Sequence, residues 1–454
     1  MDHQHGLVTG FAIDKGVDLW FNITNTNLTN DTNKKTNTDR PDDTDKKTNT
    51  NLTNDTNKKT NTDLPDDTDK KTNTDLPDDT DKRPDSLVVL DSETFSGHVE
   101  FDIAAPTLMK QGNWGDYARG AKFALQKRFQ LKTGITGIIK GSLPVGGLSS
   151  SAAVLIAYVM AFAKANNITL APFEVMKIAS EAEREYIGLN NGLLDQACIA
   201  LGKKDHLLML DCESDEYRLI PFGGQANTNL TDRTDNKANT NLTNNTNRVT
   251  NTDGTDKTDS ELPFEFAIFF SGLTRSLMSS DYNLRVTECK TAAWIVQAYE
   301  NVPLKTHDKT FLRDVPESMY KRHRDEMPPR FARRAEHFFG EHKRVREGVT
   351  AWETGNLEWL GSLSKASCES SIHNYECGSP ELIAIYNAML TTDGIYGGRF
   401  SGAGFKGACI ALVDPAKKDS IEKEITEKYL EQFPQYKNSF KVFFCKSDDG
   451  ARFV

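Results

Sequence analysis

The sequence predicts an α+β protein whose two domains share one cleft, and three observations carry that prediction. Helix-spaced and strand-like runs mix with hairpin-like pairs instead of alternating strictly as strand and helix. Two low-complexity segments, residues 22–85 and 224–261, interrupt otherwise ordinary globular sequence. Setting them aside leaves about 350 of the 454 residues, which suits two domains, divided as residues 1–215 and 216–454.

The elements follow in chain order. LVTGFAIDKGVDLWF (7–21) and SLVVLDSETFSGHVEFDIA (86–104) read as strands on either side of the first insert. GDYARGAKFALQKRF (115–129) has helical spacing, with Tyr117, Ala121, Ala124 and Leu125 on one face. GITGIIKGSLPVGG is a strand entering a glycine turn, and LSSSAAVLIAYVMAFAKANN a helix that is small at its start and apolar through its middle. The next helix begins near Pro172 and stops at Gly188. A short helix, LLDQACIALG, and a strand, HLLMLDC, complete the first half. From Tyr282 to about Leu390 the pattern is mostly helical. It then gives a strand, turn and strand in GGRFSGAGFKGACIALV, a helix after Pro415 and a last strand, FKVFFC.

The first insert repeats with a period of twelve: KKTNTDLPDDTD occurs at Lys58–Asp69 and again at Lys70–Asp81, and the second insert keeps the same period. Each unit offers about one Leu or Ile, too little apolar area to offset roughly 1–2 kcal/mol of backbone entropy per residue. Disordered loops are therefore expected rather than a solenoid. The first insert lies between two strand-like runs, and the second between YRLIPF and FEFAIFF. Both read as lengthened hairpin turns, since long surface loops add little closure entropy.

Composition excludes several classes. The net charge is −10 with no basic stripe, which argues against a nucleic-acid partner. Seven scattered cysteines without a CxxC point to a reducing compartment rather than a disulfide framework. No apolar run approaches about 18 residues, so no membrane span is expected and the cytoplasm is the expected location. Oligomeric state is left open.

Three motifs carry chemistry. LPVGGLSSSAAVLIA (143–157) runs a strand into glycines and then three serines at the start of a buried helix. Helix N-termini present unpaired N–H groups that suit phosphate, although a Ser-capped glycine turn would look the same. SEAEREYIGLNNGLLDQACIALG places Glu183 twelve residues before Asp195, which sits among Leu193, Leu194, Ala197 and Ile199. An acid in apolar surroundings needs a partner or a task; the plainer alternatives are a helix cap for Asp195 and a solvated face for Glu183. The third, GGRFSGAGFKGACIALV, is too rich in glycine for ordinary strand ends.

Together, in this order, the three motifs resemble the small-molecule kinases of the galactokinase, homoserine kinase, mevalonate kinase and phosphomevalonate kinase superfamily, the GHMP kinases. GLLDQACIALGKKDHLLMLDCES is similar to the catalytic segment of the sugar-1-kinases. NWGDYARGAKFAL, SSIHNYECGSPELIAIYNAML and RFSGAGFKGACIALVD resemble the galacturonokinase branch more than the galactokinases. The resemblance implies the GHMP kinase fold, with an N-terminal half like ribosomal protein S5 domain 2 and a ferredoxin-like C-terminal half. It also implies ATP and Mg²⁺ as cofactors and a small sugar as the other partner. The implied reaction phosphorylates an anomeric hydroxyl, D-galacturonate to α-D-galacturonate 1-phosphate. Galactokinase and a non-catalytic sugar- and ATP-binding regulator are the alternatives.

Residue by residue, it implies that Gly146, Gly147, Leu148, Ser149, Ser150, Ser151 and Ala152 hold ATP phosphates, that Ser151 and Glu183 hold the metal, and that Asp195 is the base. Asp2, Gly192 and Tyr282 would contact sugar, and Trp114 would neighbour adenine. Pro144-Val145-Gly146-Gly147-Leu148 is one residue shorter than the family's Pro-x-Gly-x-Gly-Leu. MDHQHG matches only the end of the family's N-terminal sugar-binding motif. The expectation is therefore of a truncated start, lacking the arginine that supports the catalytic aspartate, and of lowered activity.

Overall fold

The computed structural model describes residues 1–24, 84–106, 109–144, 148–189, 192–224, 262–273, 280–402, 404–405 and 407–454. Both low-complexity segments fall almost wholly outside them. Met1–Thr24 and Asp85–Val454 form one compact unit built on three sheets.

The first sheet has the order β2-β5-β3-β4, with β2 at Val17–Ile23, β3 at Leu87–Ser92, β4 at Val99–Asp102 and β5 at Ile135–Gly141. Burial alternates along β2, with Leu19 and Phe21 turned to the core and Asp18, Trp20 and Asn22 to solvent, as a half-buried strand requires. Helices α1 (Asp116–Gln126), α2 (Ser150–Ala165) and α3 (Pro172–Glu181) pack on it. α2 lies between the sheet and its neighbouring helices, which is why it is apolar nearly all round: Leu155, Ile156, Tyr158, Val159 and Phe162 are all buried. α3 has Pro172 in its first turn, and the Glu174 carboxylate accepts from the Ala171 N–H at 2.8 Å.

The hairpin expectation for the inserts is corrected by these sheets. β2 and β3 do not pair. β5 lies between them, antiparallel to β2 and parallel to β3. The second insert likewise joins β7 (Tyr217–Pro221) to β8 (Glu265–Phe270), which belong to different sheets. All these strands carry similar apolar patterns, and local pattern does not say which strand lies beside which.

The second sheet, β1-β6-β7, joins β1 (Leu7–Gly10) to β6 (His206–Asp211). The third has the order β11-β8-β10-β9, with β9 at Ile395–Phe400, β10 at Ala408–Val413 and β11 at Lys441–Cys445. Around it stand α5 (Ser280–Tyr299), α7 (Pro329–Glu353), α8 (Leu357–His373), α9 (Pro380–Leu390) and α10 (Lys418–Gln432); α4 (Leu194–Leu201) lies in the first half and α6 spans Glu317–His323. A glycine of the third motif has a packing reason. A Cβ at Gly397 on β9 would come within 2.1 Å of the Gly361 carbonyl oxygen on α8, so helix and strand meet backbone to backbone. All seven cysteines are unpaired, and among the described residues no helix is long and apolar enough to cross a membrane.

Candidate active site

Three helix starts build the site. α2 begins with Ser149, Ser150 and Ser151; α4 begins with Leu194, Asp195 and Gln196; and a short helical turn at Asp2–Gln4 precedes β1. That N-terminal turn is clamped from both sides. The Gln4 side chain accepts from the Leu312 N–H at 3.1 Å, and His342 on α7 accepts from the Leu7 N–H at 2.9 Å through Nε2. The second bond requires a neutral imidazole, and burial pushes His342 down to about 4.

Asp2 faces the start of α4, where the Leu194 N–H points at its carboxylate at 3.5 Å. Burial alone would raise the Asp2 carboxyl, but hydrogen bonds from His3, together with the positive charges of the N-terminal ammonium and His3, outweigh it and hold the group well below the usual carboxylate range; the His3 N–H donates to it at 2.8 Å. Gly192 is the residue that lets Asp2 sit there. A Cβ on Gly192 would be 1.9 Å from the Asp2 Cγ.

Asp195 is not a helix cap. It is the second residue of α4, whose cap position is Leu193. Its side chain stays partly accessible while the protein packed around it pushes its carboxyl up to about 6. Ser149 works the other way, and the Asp2 and Glu183 carboxylates add to the rise. A carboxylate with that value is half-ionised near pH 6 and mostly ionised at neutrality, so it is suited to taking a proton.

Glu183 is not on a solvated face either. It is 1% exposed, on a π-helical turn spanning Ala182–Ile187 that closes at Gly188. Ser151 donates to its Oε1 at 2.7 Å and Gln196 to its Oε2 at 2.5 Å. π turns inserted in helices recur at functional sites; this one turns the carboxylate inward between α2 and α4. Gln196 was not foreseen from the sequence. Its neighbour Asp195 drew attention, but nothing local indicates that its amide reaches back thirteen residues.

Tyr282 on α5 stands edge-on to His3, ring centroids 5.8 Å apart. Its phenol is raised by burial first and then by the Asp2 and Asp195 carboxylates, so the structure brings Asp2, Asp195 and Tyr282 together. Trp114 is half-buried against the first core, and its indole N–H donates to the Ser96 carbonyl at 3.3 Å. Gly146 and Gly147 lie outside the described residues. Leu148 and Ser150 are partly buried and Ala152 fully so at the α2 start.

The serine and glutamate supply only oxygen donors, the kind that Mg²⁺ prefers. Among the described residues no three His, Cys, Asp or Glu side chains converge on a metal position.

The N-terminal domain of the GHMP kinases matches residues 116–203, and their C-terminal domain matches residues 348–431. The chain is 36% identical over 393 residues to a galacturonokinase of Arabidopsis thaliana, covering 81% of this chain and 84% of that one. It belongs to the GHMP kinases. A galactokinase of Clostridium perfringens is 29% identical over 349 residues, covering 76% and 79% of the two chains. Among solved structures, Lactococcus lactis galactokinase complexed with galactose superposes with a TM-score of 0.70 at 20% identity, over all of this chain and 91% of that one, which shows the GHMP kinase fold. The chain is thus a kinase, a phosphate-transferring enzyme. The matched N-terminal domain contains α1, α2, Glu183 and α4, so the site's serines and both of its helix-borne acids lie within it.

Proposed function

We propose that this GHMP kinase transfers phosphate from ATP to the anomeric hydroxyl of a sugar, and that its substrate is D-galacturonate. The observation that carries the reading is the placing of Asp195. A partly accessible carboxylate, raised to about 6, stands beside Asp2 and Tyr282 on one side and the opening turn of α2 on the other. The choice of galacturonate rests on the similarity to the Arabidopsis galacturonokinase.

In this reading Asp2 accepts hydrogen bonds from sugar hydroxyls and Tyr282 closes over the ring. Asp195 takes the proton as the anomeric oxygen bonds to the γ-phosphorus and ADP leaves. The first-turn N–H groups of α2 receive phosphate oxygens, and Trp114 flanks the nucleotide. Ser151 and Glu183 would hold Mg²⁺, which would neutralise phosphate charge. Phosphoryl transfer asks the protein chiefly for positioning and electrostatics, which is what these groups provide.

The test is ADP release by purified protein with galacturonate and, separately, galactose. Turnover of galacturonate is expected, with kcat/KM rising through about pH 6 as the free enzyme's base ionises. Preferential turnover of galactose would transfer the assignment to galactokinase. Sugar and ATP binding with no ADP released would make the protein a regulator.

A further inference from the structure

Beyond β11 the chain returns to its first half. Residues 446–454 run from the third sheet to the turn between β1 and β2 and on to the end of α4. The Asp14 N–H donates to the Lys446 carbonyl at 3.0 Å, and the Asp448 N–H to the Ala12 carbonyl at 3.1 Å. Ser447 donates to the Asp205 carboxylate at 2.6 Å and accepts from the Asp205 N–H at 3.0 Å. The Asp449 carboxylate accepts from the Lys204 N–H at 3.0 Å. The Ala451 N–H then donates to the Ile199 carbonyl at 2.6 Å, and the Gly450 N–H to the carbonyl of Gly202, the cap residue of α4, at 2.8 Å. A helix end leaves its last carbonyls without partners of its own; here a segment remote in sequence supplies the donors. The fit is close. A Cβ on Gly450 would stand 2.8 Å from the Ile199 oxygen and 3.1 Å from that of Gly202.

We infer that Gly450 and Ala451 are positioning residues for Asp195, holding its helix from the far end. The inference rests on the kinase reading above. α4 has eight residues and is about 12 Å long. A helix so short has little stability of its own and takes its direction from what it packs on. β1 fixes its side, where a Cβ on Gly10 would be 2.3 Å from the Cys198 Sγ. Gln196, bonded to Glu183, fixes its first turn beside Asp195. Residues 450 and 451 fix its last turn. They stand a helix length from the acid, so they act through α4 and not on the substrate. Released there, α4 can tilt about its first turn, and a shift of about 1 Å at a catalytic group costs up to about 100-fold in rate.

The test compares three variants of the full chain. Deletion of residues 450–454 removes both N–H donors, and Gly450→Ala forces the segment off the end of α4. Phe453→Ala trims the same segment away from that contact, where the Phe453 ring lies 6.5 Å from that of Phe21 on β2, centroid to centroid. Turnover is expressed per nucleotide-binding site, counted by calorimetric titration with a non-hydrolysable ATP analogue and Mg²⁺, so that unfolded molecules are left out. The deletion is expected to lower kcat per site about 10- to 100-fold and Gly450→Ala about 3- to 10-fold. The KM for sugar and the affinity for the analogue should change less than about threefold. Phe453→Ala should keep kcat per site within about twofold, whatever it does to the melting temperature. A parental kcat per site in either contact variant, or an equal loss in Phe453→Ala, would overturn the inference. Absence of turnover by the unmodified chain would instead overturn the kinase reading, and the two failures are read from different proteins.

Discussion

At the residue scale the site depends on close fits between acids and the groups that admit them. Gly192 is the tightest. Because a Cβ there would overlap the Asp2 carboxylate, Gly192→Ala must push Asp2 off its place beside α4. If Asp2 holds sugar hydroxyls, the KM for sugar should rise about 10- to 100-fold, with nucleotide affinity unchanged. A sugar KM within twofold of the parent would mean that Asp2 is not a sugar ligand. Residue identity was legible at this scale because Asp195, Glu183 and Ser151 lie in recognisable motifs. The bonds between them were not. That Gln196 joins Glu183 depends on a π turn, which leaves no local trace in residue type.

At the element scale the helices were readable because their signals are local: Pro172 at a start, Gly188 at a stop, small residues opening α2. Strand pairing was not, because the partner of β2 is β5, more than a hundred residues on. The inserts illustrate the difference. Their composition marks them as loops, yet β2 and β3, the strands flanking the first, lie on opposite sides of β5. Shortening the first insert by deleting residues 34–81 keeps about twelve of some sixty residues. Loop-closure entropy then predicts a gain of roughly 1–1.5 kcal/mol in unfolding free energy, with kcat unchanged. Urea unfolding and turnover of the deletion variant check this; a lost kcat would give the repeats a role in the reaction.

At the scale of the whole molecule, two large cores carry buried ionisable groups that tie stability to pH. His3, His337 and His342 are pushed down by burial from 6.5 to about 4, 3 and 4. As pH falls below about 6.5 the unfolded chain takes up these protons and the folded chain does not, so stability falls. Asp195 acts in the opposite sense. Raised from 3.8 to about 6, it binds its proton in the folded state first and offsets one of the three. Those four groups leave a net difference of about two protons, a slope of about 2.7 kcal/mol per pH unit between roughly pH 6 and 4.5; His5, and toward the lower end Glu341 and Asp2, steepen it. The urea midpoint should therefore drop steadily across that range, and a flat profile would contradict the buried, neutral state of these histidines.

The placing of β5 between β2 and β3 also sets an order of events during synthesis. When β2 leaves the ribosome, the strand that will pair with it has not been made. Trp20, which in the finished sheet stands opposite Ile138, has no cross-strand neighbour until about 120 more residues have been translated. At bacterial to eukaryotic speeds of about 5–20 residues per second, an apolar strand waits some 6–24 seconds in the open. Repeats rich in Thr, Asn, Asp and Lys that follow it directly would keep that waiting strand in solvent, and lengthening them lengthens the wait.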